Sequence, residues 1–238
     1  MLTAFTVAFF LAKGARPVER VIQTALVNYG SSIFDVKVQV GTVNIDFDKG
    51  VAKVERLRVA NPVGFKTEYA INANELTLKL DFESLNKDTI IFEDITIVEA
   101  DIIYEYRSSG TNLDKLAENA VEYANKELGL LEAQAASRLL VDKVNIINPH
   151  LQISHRILKG KTLKLNLPDI RLQNPGNKIH SSSPAEIAQD ILSAIKSGTG
   201  MAAASLSMGK DFQNDENRQT LVVEELESME DDANWIFQ

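Results

Sequence analysis

The sequence predicts an α+β protein in which a long, curved, mainly antiparallel sheet packs against an N-terminal helix and two amphipathic helices. Three segments, starting near residues 17, 111 and 183, place apolar residues at the 3.6-residue period of a helix. From residue 35 to residue 106, and again after residue 139, apolar and polar residues alternate with a period of two. Strands that are apolar on one side only are typical of antiparallel sheets, because parallel sheets bury both faces.

The first helix is predicted to begin at Pro17, because proline suits the first helical position, where a backbone N–H is not needed. We expect Gly30 to end this helix, since glycine accepts the left-handed conformation that follows many helices. The apolar stripe between these two residues consists of Val18, Val21, Ile22, Ala25, Leu26 and Tyr29.

Half-apolar strands are predicted over residues 36–106. A hairpin turn is expected at residues 48–50 (Asp-Lys-Gly), and residues 61–65 (Asn-Pro-Val-Gly-Phe) predict a second turn. The strand between them loses its alternation at Glu55 and Arg56, as a β-bulge would cause. Residues 89–106 form either one bent strand or two strands joined at a bulge. The apolar strand positions are Val36, Val38, Val40, Val43, Ile45, Phe47, Leu76, Leu78, Leu80 and Phe82.

The second helix is predicted to begin at Thr111 or Asn112 and to end at Gly129, and residues 130–140 are expected to extend or repeat it. Residues 139–153 and 162–172 then predict a second pair of strands. In the latter segment Leu163, Leu165 and Leu167 alternate with polar residues.

The third helix has a complete start signal. Ser183 is the expected N-cap, Pro184 takes the first helical position and Glu186 completes a capping box. We expect this helix to end near Gly198.

The composition argues against several classes of function. The chain of 238 residues has no cysteine, which excludes disulfides and thiolate metal sites. Its net charge is −8 and it has no basic stripe, which argues against nucleic-acid binding. His150, His155 and His180 lack the spacing of a zinc site, and no glycine-rich loop opens a helix to hold phosphate. The sequence therefore predicts no enzyme, no cofactor and no metal site.

Most of the acidity belongs to the C-terminal segment. Residues 210–232 hold nine acidic and two basic side chains, while the rest of the chain holds 24 acidic and 23 basic ones. This composition predicts a solvated, disordered tail over residues 206–238, with a short helix near residues 221–229. The alternative is a docking segment that uses Trp235, Ile236 and Phe237 as an apolar hook.

The N-terminal segment, residues 1–16, is predicted to be a partial membrane anchor or a signal-like segment. Residues 2–12 carry no charge, but a helix that crosses the hydrocarbon layer needs about 20 apolar residues. No basic region precedes this stretch, which favours an anchor over a signal peptide. The remaining alternative is an N-terminal core helix. The anchor residues would be Leu2, Phe5, Val7, Phe9, Phe10 and Leu11.

Four segments together resemble the AsmA-like proteins of bacterial envelopes. They are residues 61–66 (Asn-Pro-Val-Gly-Phe-Lys), residues 90–105, residues 110–116 (Gly-Thr-Asn-Leu-Asp-Lys-Leu) and residues 165–170 (Leu-Asn-Leu-Pro-Asp-Ile). The resemblance covers roughly residues 17–197. It implies an N-terminal membrane helix, a periplasmic body and, as in large members, a curved sheet whose apolar trough carries lipid. About eight strands at ~4.8 Å spacing span only ~40 Å, so one copy cannot bridge two membranes.

We therefore expect one AsmA-like domain over residues 17–205, tethered to the inner membrane on its periplasmic side. The expected function is non-enzymatic: the apolar sheet face would handle phospholipid or support membrane organisation. The alternative is a scaffold that pairs strand edges with its own copies or with another envelope protein. The apolar face would form either a closed core or an open trough. The predicted lipid-facing residues are the apolar strand positions named above, including Leu163, Leu165 and Leu167.

Overall fold

A computed structural model describes residues 16–87, 89–107, 110–131, 138–154, 162–176 and 182–207, and the predicted α+β fold is confirmed. Residues 1–15 of the predicted anchor segment (1–16) and residues 208–238 of the predicted tail (206–238) lie outside the described residues. Arg16 starts the first helix, and residues 206 and 207 belong to the last one, so they are not part of a disordered tail. The helices are α1 (Arg16–Phe34), α2 (Asn112–Leu131), α3 (Pro184–Ser207) and a short 3-10 helix (Phe82–Asn86). The strands are β1 (Val38–Val40), β2 (Val43–Asp46), β3 (Val51–Ala60), β4 (Tyr69–Leu80), β5 (Thr89–Arg107), β6 (Gly110–Thr111), β7 (Arg138–Val141), β8 (Lys143–Ile147), β9 (His150–Ser154), β10 (Thr162–Asn166) and β11 (Ile170–Gln173).

The strands form one open, mainly antiparallel sheet. β1 and β2 lie end to end along β3, which is followed by β4 and β5. Strands β7, β8 and β9 lie end to end on the far side of β5, and β11 and β10 pair with β8 and β9. The segments predicted as a second strand pair therefore continue the same sheet. β7–β9 run parallel to β5, because α2 lies between them in the chain and carries it back across the sheet.

A crease crosses the sheet from strand to strand. The pairing places Arg56, Asn74, Glu99 and Asn148 side by side, and Arg56, Glu99 and Asn148 have positive φ values of 58°, 52° and 51°. At this line the alternation of buried and exposed residues shifts by one position in each strand, while strand pairing continues on both sides. The loss of alternation predicted at Glu55 and Arg56 belongs to this crease, but the predicted bulge is not present there: the register of β3 with β4 is the same at Glu55 and at Leu57 and shifts only between Val59 and Ala60. The crease keeps the apolar side chains of both halves of the sheet on one face.

At the outer strand the crease requires a glycine. The amide of Gly41 donates to the carbonyl oxygens of Glu55, at 3.0 Å, and of Arg56, at 3.1 Å. A Cβ atom at position 41 would lie only 2.4 Å from the Glu55 carbonyl oxygen. Any side chain there would force the two strands apart.

All three helices contribute to the apolar core, and they cover the two halves of the sheet unequally. The second half, on the side of β1, β9 and β10, packs against four buried residues of α2 and α3. Into the core of the first half, on the side of β2 and the start of β5, α1 places Ile22 and Leu26, both half-buried. The four residues over the second half are Leu113, Leu116, Leu192 and Ile195.

Two helices continue past the glycines that were predicted to end them. Helix α1 runs through Gly30 to Phe34, because this glycine lies against β1: a Cβ there would be 3.2 Å from the Val38 side chain. Helix α3 likewise passes Gly198, whose Cβ would lie 3.7 Å from Ile170, and ends at Ser207. Both glycines allow close packing on the sheet, which local sequence does not reveal.

Three further boundaries differ from the predictions. Residues 138–140 belong to β7 and do not extend the second helix. Strand β4 ends at Leu80, because the Asp81 carboxylate accepts a hydrogen bond from the Glu83 amide and starts the 3-10 helix that holds Phe82. Phe47 lies in the turn after β2.

Candidate functional site

Twelve of the thirteen predicted lipid-facing residues fall into three groups by their burial. Six of them are buried core residues, each with at most 7% of its surface exposed, and in this structure they contact the protein itself. Five are half-buried, Phe47 is 38% exposed, and the side chain of Leu163 on β10 lies outside the described part of the chain. The closed-core alternative therefore holds for the six, which are Val38, Val43, Leu76, Leu78, Leu80 and Leu167. The half-buried residues are Val36, Val40, Ile45, Phe82 and Leu165.

The first half of the sheet has the more accessible apolar surface. Its buried residues are all on strands, and the α-helices add only Ile22 and Leu26 of α1 to this cluster. Helix α3 covers the start of β5 through Ile187 and Ile191, in a neighbouring cluster that also contacts Phe92 and Ile95. Several apolar side chains of β2 and β5 are half-buried here, and they would be fully buried if more helix residues packed on them. These side chains are Ile45, Ile90, Phe92, Ile95 and Ile97, together with Phe82 of the 3-10 helix.

The most open part of this surface is the end of the sheet, where Phe47, Phe82, Ile90 and Phe92 form what we call the apolar rim. The rings of Phe47 and Phe82 stack with their centroids 5.7 Å apart. Phe92 lies opposite Leu80 in the sheet, and Ile90 lies beside Leu139 of β7. The rim thus joins the turn after β2, the 3-10 helix and the start of β5 into one apolar border.

Helix α1 starts at the same end of the molecule as the apolar rim. Its C-terminal part lies against β1 through Gly30 and Val38, and the Gln23 amide donates to the Gly41 carbonyl oxygen at 2.8 Å. From Gln23 the helix runs back for seven residues to Arg16, about 10 Å at 1.5 Å per residue. Strand β2 runs the same way from Gly41 toward the rim. Arg16, where α1 begins, therefore lies on the rim side.

Parts of three of the four segments that carry the AsmA-like resemblance meet at the other end of the sheet. Asn112 is fully buried and donates to the Asn61 side-chain oxygen, at 2.8 Å, and to the Ile103 carbonyl oxygen, at 2.7 Å. The buried Glu105 carboxylate accepts hydrogen bonds from the amides of Lys66, at 2.8 and 2.9 Å, and Thr67, at 3.0 Å. These contacts fasten the Asn-Pro turn to β5 and to the start of α2. Sequence reasoning missed this cluster, because its members lie up to 51 residues apart.

A second polar group lies beside this cluster, at the start of α2. Burial alone would raise the pKa of the Asp114 carboxyl, but hydrogen bonds from Lys196 and Thr111 outweigh it and hold that pKa below its ordinary value. Burial, together with the charge of Asp114, raises the pKa of Tyr104 to about 12. Both groups keep their ordinary protonation state near neutral pH, so neither is suited to general acid or base catalysis.

The polar face of the sheet carries paired charges. Lys79 contacts Glu93 at 2.6 Å, and the Asn145 amide donates to Asp94 at 2.8 Å beside a shallow cleft of about 450 Å³. His150 lies 3.8 Å from Asp101. Within the described ranges no group of three or more His, Asp or Glu side chains could hold a metal ion. This face is a solvated surface of ion pairs.

No protein-family model matches the chain, and a search of the curated proteins finds no similar sequence. In the part of the chain that the structure describes, no helix combines the length and the apolarity that crossing a bilayer requires.

Proposed function

We propose that this protein is a non-enzymatic, membrane-tethered component of a bacterial envelope, on the periplasmic side of the inner membrane. Its task is to bind acyl chains of phospholipid at the first half of the sheet. The observation that supports it is the thinly covered apolar surface, which ends in the rim on the side where α1 begins. The uncharged residues 2–12 precede this helix in the sequence. The envelope address rests on the resemblance to AsmA-like proteins.

The burial of the apolar residues determines which of them an acyl chain can contact. Side chains such as Leu76 and Leu78 are already covered, so lipid would meet the half-buried residues of β5 and the exposed ring of Phe47. An acyl chain gains about 0.8 kcal/mol for each CH₂ group that it removes from water. An acyl chain lying along the rim would therefore be held on an open apolar surface and would not be enclosed in a tunnel. One domain of this size handles lipid locally, beside its own membrane.

Lipid that copurifies with the full chain tests the proposal. Protein extracted in mild detergent is expected to carry phospholipid that is detectable by mass spectrometry. The double variant Phe47→Ser/Ile90→Ser should lower the lipid per protein at least fivefold, because it makes two rim positions polar. Val63→Ser and Val121→Ser are matched controls, since these exposed apolar side chains lie away from the rim, with exposures of 104% and 45%. Circular dichroism confirms that each variant is folded.

Two results would reject lipid binding at the rim. If wild-type protein carries no phospholipid, the proposed lipid-binding function is wrong. If rim variants and control variants carry equal amounts of lipid, the protein does not bind lipid at the rim. Substitution of Leu78 by a charged residue is unsuitable here, because that side chain is buried and the change would unfold the core.

A second candidate function is an assembly scaffold. The observation that favours it is the outer edge of β10 and β11, which pairs with no further strand among the described residues. Sheet edges of this kind add strands from other chains. A scaffold predicts that delipidated protein still forms oligomers, whereas the lipid function does not require them. Light scattering on delipidated protein separates the two.

A further inference from the structure

A cleft opens at the β1 edge of the sheet, where the crease meets helix α1, and its volume is about 470 Å³. This volume lies within the range of about 300–1,000 Å³ that small-molecule sites occupy. Helix α1, the junction of β1 with β2, and strand β3 each contribute to its lining. The polar side chains that line it are those of Glu19, Arg20, Gln23, Thr42 and Arg56.

Helix α1 is fastened to the strands at this cleft. Gln23 Nε2 donates to the carbonyl oxygens of Val40, at 3.2 Å, and Gly41, at 2.8 Å, which closes this edge against further strands. Glu19 and Arg20 precede Gln23 by about one helical turn, so all three side chains lie on the same side of the helix. The hydrogen bonds of Gln23 therefore hold Glu19 and Arg20 beside the junction of β1 and β2.

Arg56 reaches the cleft because Gly41 leaves room for its side chain. Arg56 lies at the crease with a φ of 58°. A Cβ atom on Gly41 would lie 3.2 Å from Arg56 Nε and 3.4 Å from Arg56 Cβ. The side chain of Arg56 therefore lies over the bare backbone of Gly41, and it lines the same cleft that Arg20 lines from the helix.

The two arginines have no partner within the described part of the chain. Neither Arg20 nor Arg56 forms a hydrogen bond, an ion pair or a ring contact there, and both are exposed. Arg171, by contrast, pairs with Asp169 at 2.8 Å. Two guanidinium groups that share a cleft repel each other, and an anion between them removes this repulsion. Arginine suits phosphate in particular, because its planar fork of N–H donors matches two phosphate oxygens.

Glu19 adds a negative charge to the same cleft. Its side chain is half-buried and forms no ion pair among the described residues. The lining thus combines two positive charges with one negative charge. A phosphate diester that carries a primary ammonium group complements both signs, whereas an anionic headgroup without an ammonium group would leave the Glu19 carboxylate unmatched.

Strand β2 leads from this cleft to the apolar rim. Its apolar side chains become more accessible along the way: Val43 is 6% exposed, Ile45 is half-buried and Phe47 is 38% exposed. From Thr42 to Phe47 an extended chain covers about 16 Å. One acyl chain has a similar length, because each leaflet fills half of a hydrocarbon core of about 30 Å.

We propose that the cleft binds the headgroup of a phospholipid with an ethanolamine group, while one acyl chain lies along β2 toward the rim. Arg20 and Arg56 donate to the phosphate oxygens, the Thr42 hydroxyl donates a further hydrogen bond, and Glu19 accepts from the ammonium group. This inference rests on the proposed lipid-binding function. It adds the class of lipid and the direction in which the lipid lies.

Lipid capture by the delipidated full chain in mild non-ionic detergent tests the headgroup site. The protein is offered equal amounts of phosphatidylethanolamine, phosphatidylglycerol and diacylglycerol with identical acyl chains. Bound lipid is quantified by mass spectrometry after gel filtration. Wild-type protein should retain about threefold more phosphatidylethanolamine than phosphatidylglycerol, and about tenfold more than diacylglycerol, which lacks the phosphate.

Variants of the charged side chains separate the contributions of the headgroup and the acyl chains. Arg20→Gln/Arg56→Gln should lower both phospholipids about tenfold and leave diacylglycerol unchanged, because it removes contacts to phosphate alone. Glu19→Gln should abolish the preference for phosphatidylethanolamine over phosphatidylglycerol. Arg171→Gln on β11 and Glu122→Gln on α2 are matched controls at exposed positions away from the cleft, and they should change neither quantity.

The outcomes distinguish this inference from the proposed function. If wild-type protein retains none of the three lipids, both are wrong. If Arg20→Gln/Arg56→Gln retains phospholipid as wild type does, or loses diacylglycerol as well, the headgroup site is wrong and acyl-chain binding stands on the wild-type result. A preference that Glu19→Gln leaves unchanged would exclude the ethanolamine contact. Binding of inorganic phosphate alone that depends on the two arginines, without such dependence for phospholipid, would assign the cleft to a free anion and overturn the proposal.

Discussion

Removal of the Asn112 side chain is expected to be among the most destabilising single changes in this protein. The residue is fully buried, its side-chain oxygen accepts a hydrogen bond from the Glu105 amide at 2.9 Å, and its amide group donates to Asn61 and Ile103. Asn112→Ala leaves the Glu105 N–H and the Ile103 carbonyl oxygen unpaired in the interior. It also releases the turn that starts at Asn61.

The magnitude follows from the number of groups left unsatisfied. Each buried polar group without a partner costs about 1–3 kcal/mol, so the two backbone groups and the loosened turn predict a loss of about 3–5 kcal/mol in the free energy of unfolding. For a domain of about 200 residues this corresponds to a fall in Tm of about 10 °C. Asn112→Asp should cost at least as much at pH 7, because it places a charged acceptor against the Ile103 carbonyl oxygen.

Urea unfolding followed by far-UV circular dichroism measures the effect. Tryptophan fluorescence is unsuitable, because the one tryptophan, Trp235, lies in the C-terminal segment. Asn145→Ala is the matched control, since Asn145 is half-buried on the polar face and donates one hydrogen bond, to Asp94, at 2.8 Å. It should cost less than about 1 kcal/mol. A loss below about 1 kcal/mol for Asn112→Ala as well would refute the assigned role of the buried network.

The remaining predictions concern the crease, a helix cap and pH dependence, all measured by the same urea unfolding. Gly41→Ala should cost roughly 2 kcal/mol, because its Cβ would lie 2.4 Å from a backbone oxygen. Gly200 lies inside α3, and a Cβ there would have no atom within 4 Å, so Gly200→Ala should raise the free energy of unfolding by about 0.5–1 kcal/mol. If both glycine variants changed stability in the same direction, the close approach at Gly41 would not be the reason for its glycine. Ser183→Ala should cost about 1 kcal/mol, because it removes the cap of α3, and no loss would show that the cap is redundant. The pKa of Asp114 is held below its ordinary value of 3.8, so its stabilising effect is present above about pH 4 and is lost as the pH falls below that value. Asp114→Asn should therefore have a lower free energy of unfolding than wild type at pH 7, and this difference should disappear in acid. A difference that stays constant down to pH 2 would exclude the pair with Lys196.

The sequence predicted well those features that depend on residues within a few positions of one another. The capping box of α3 is confirmed: the Ser183 amide donates to Glu186 at 2.7 Å, and the Glu186 amide donates back to Ser183 at 3.3 Å. Helix ends at Gly30 and Gly198 were predicted wrongly, because both glycines serve helix-to-sheet packing and do not act as caps. The phase shift at Arg56 was visible in one strand, but its alignment with Glu99 and Asn148 depends on strand register.

The amino-acid sequence by itself determined which side of each strand is apolar, where α3 begins, and where the negative charge is concentrated. These properties depend on residues within a few positions of one another, so the pattern along the chain is sufficient. Only the tertiary structure decided that Leu76 and Leu78 are buried while Phe47 is exposed, and that one sheet edge is closed while the other is open. The reason is that the exposure of a side chain depends on where the helices lie over the sheet. Contacts such as that of Asn112 with Asn61, or of Ser31 on α1 with Val38 on β1, form only when different elements of the fold pack together.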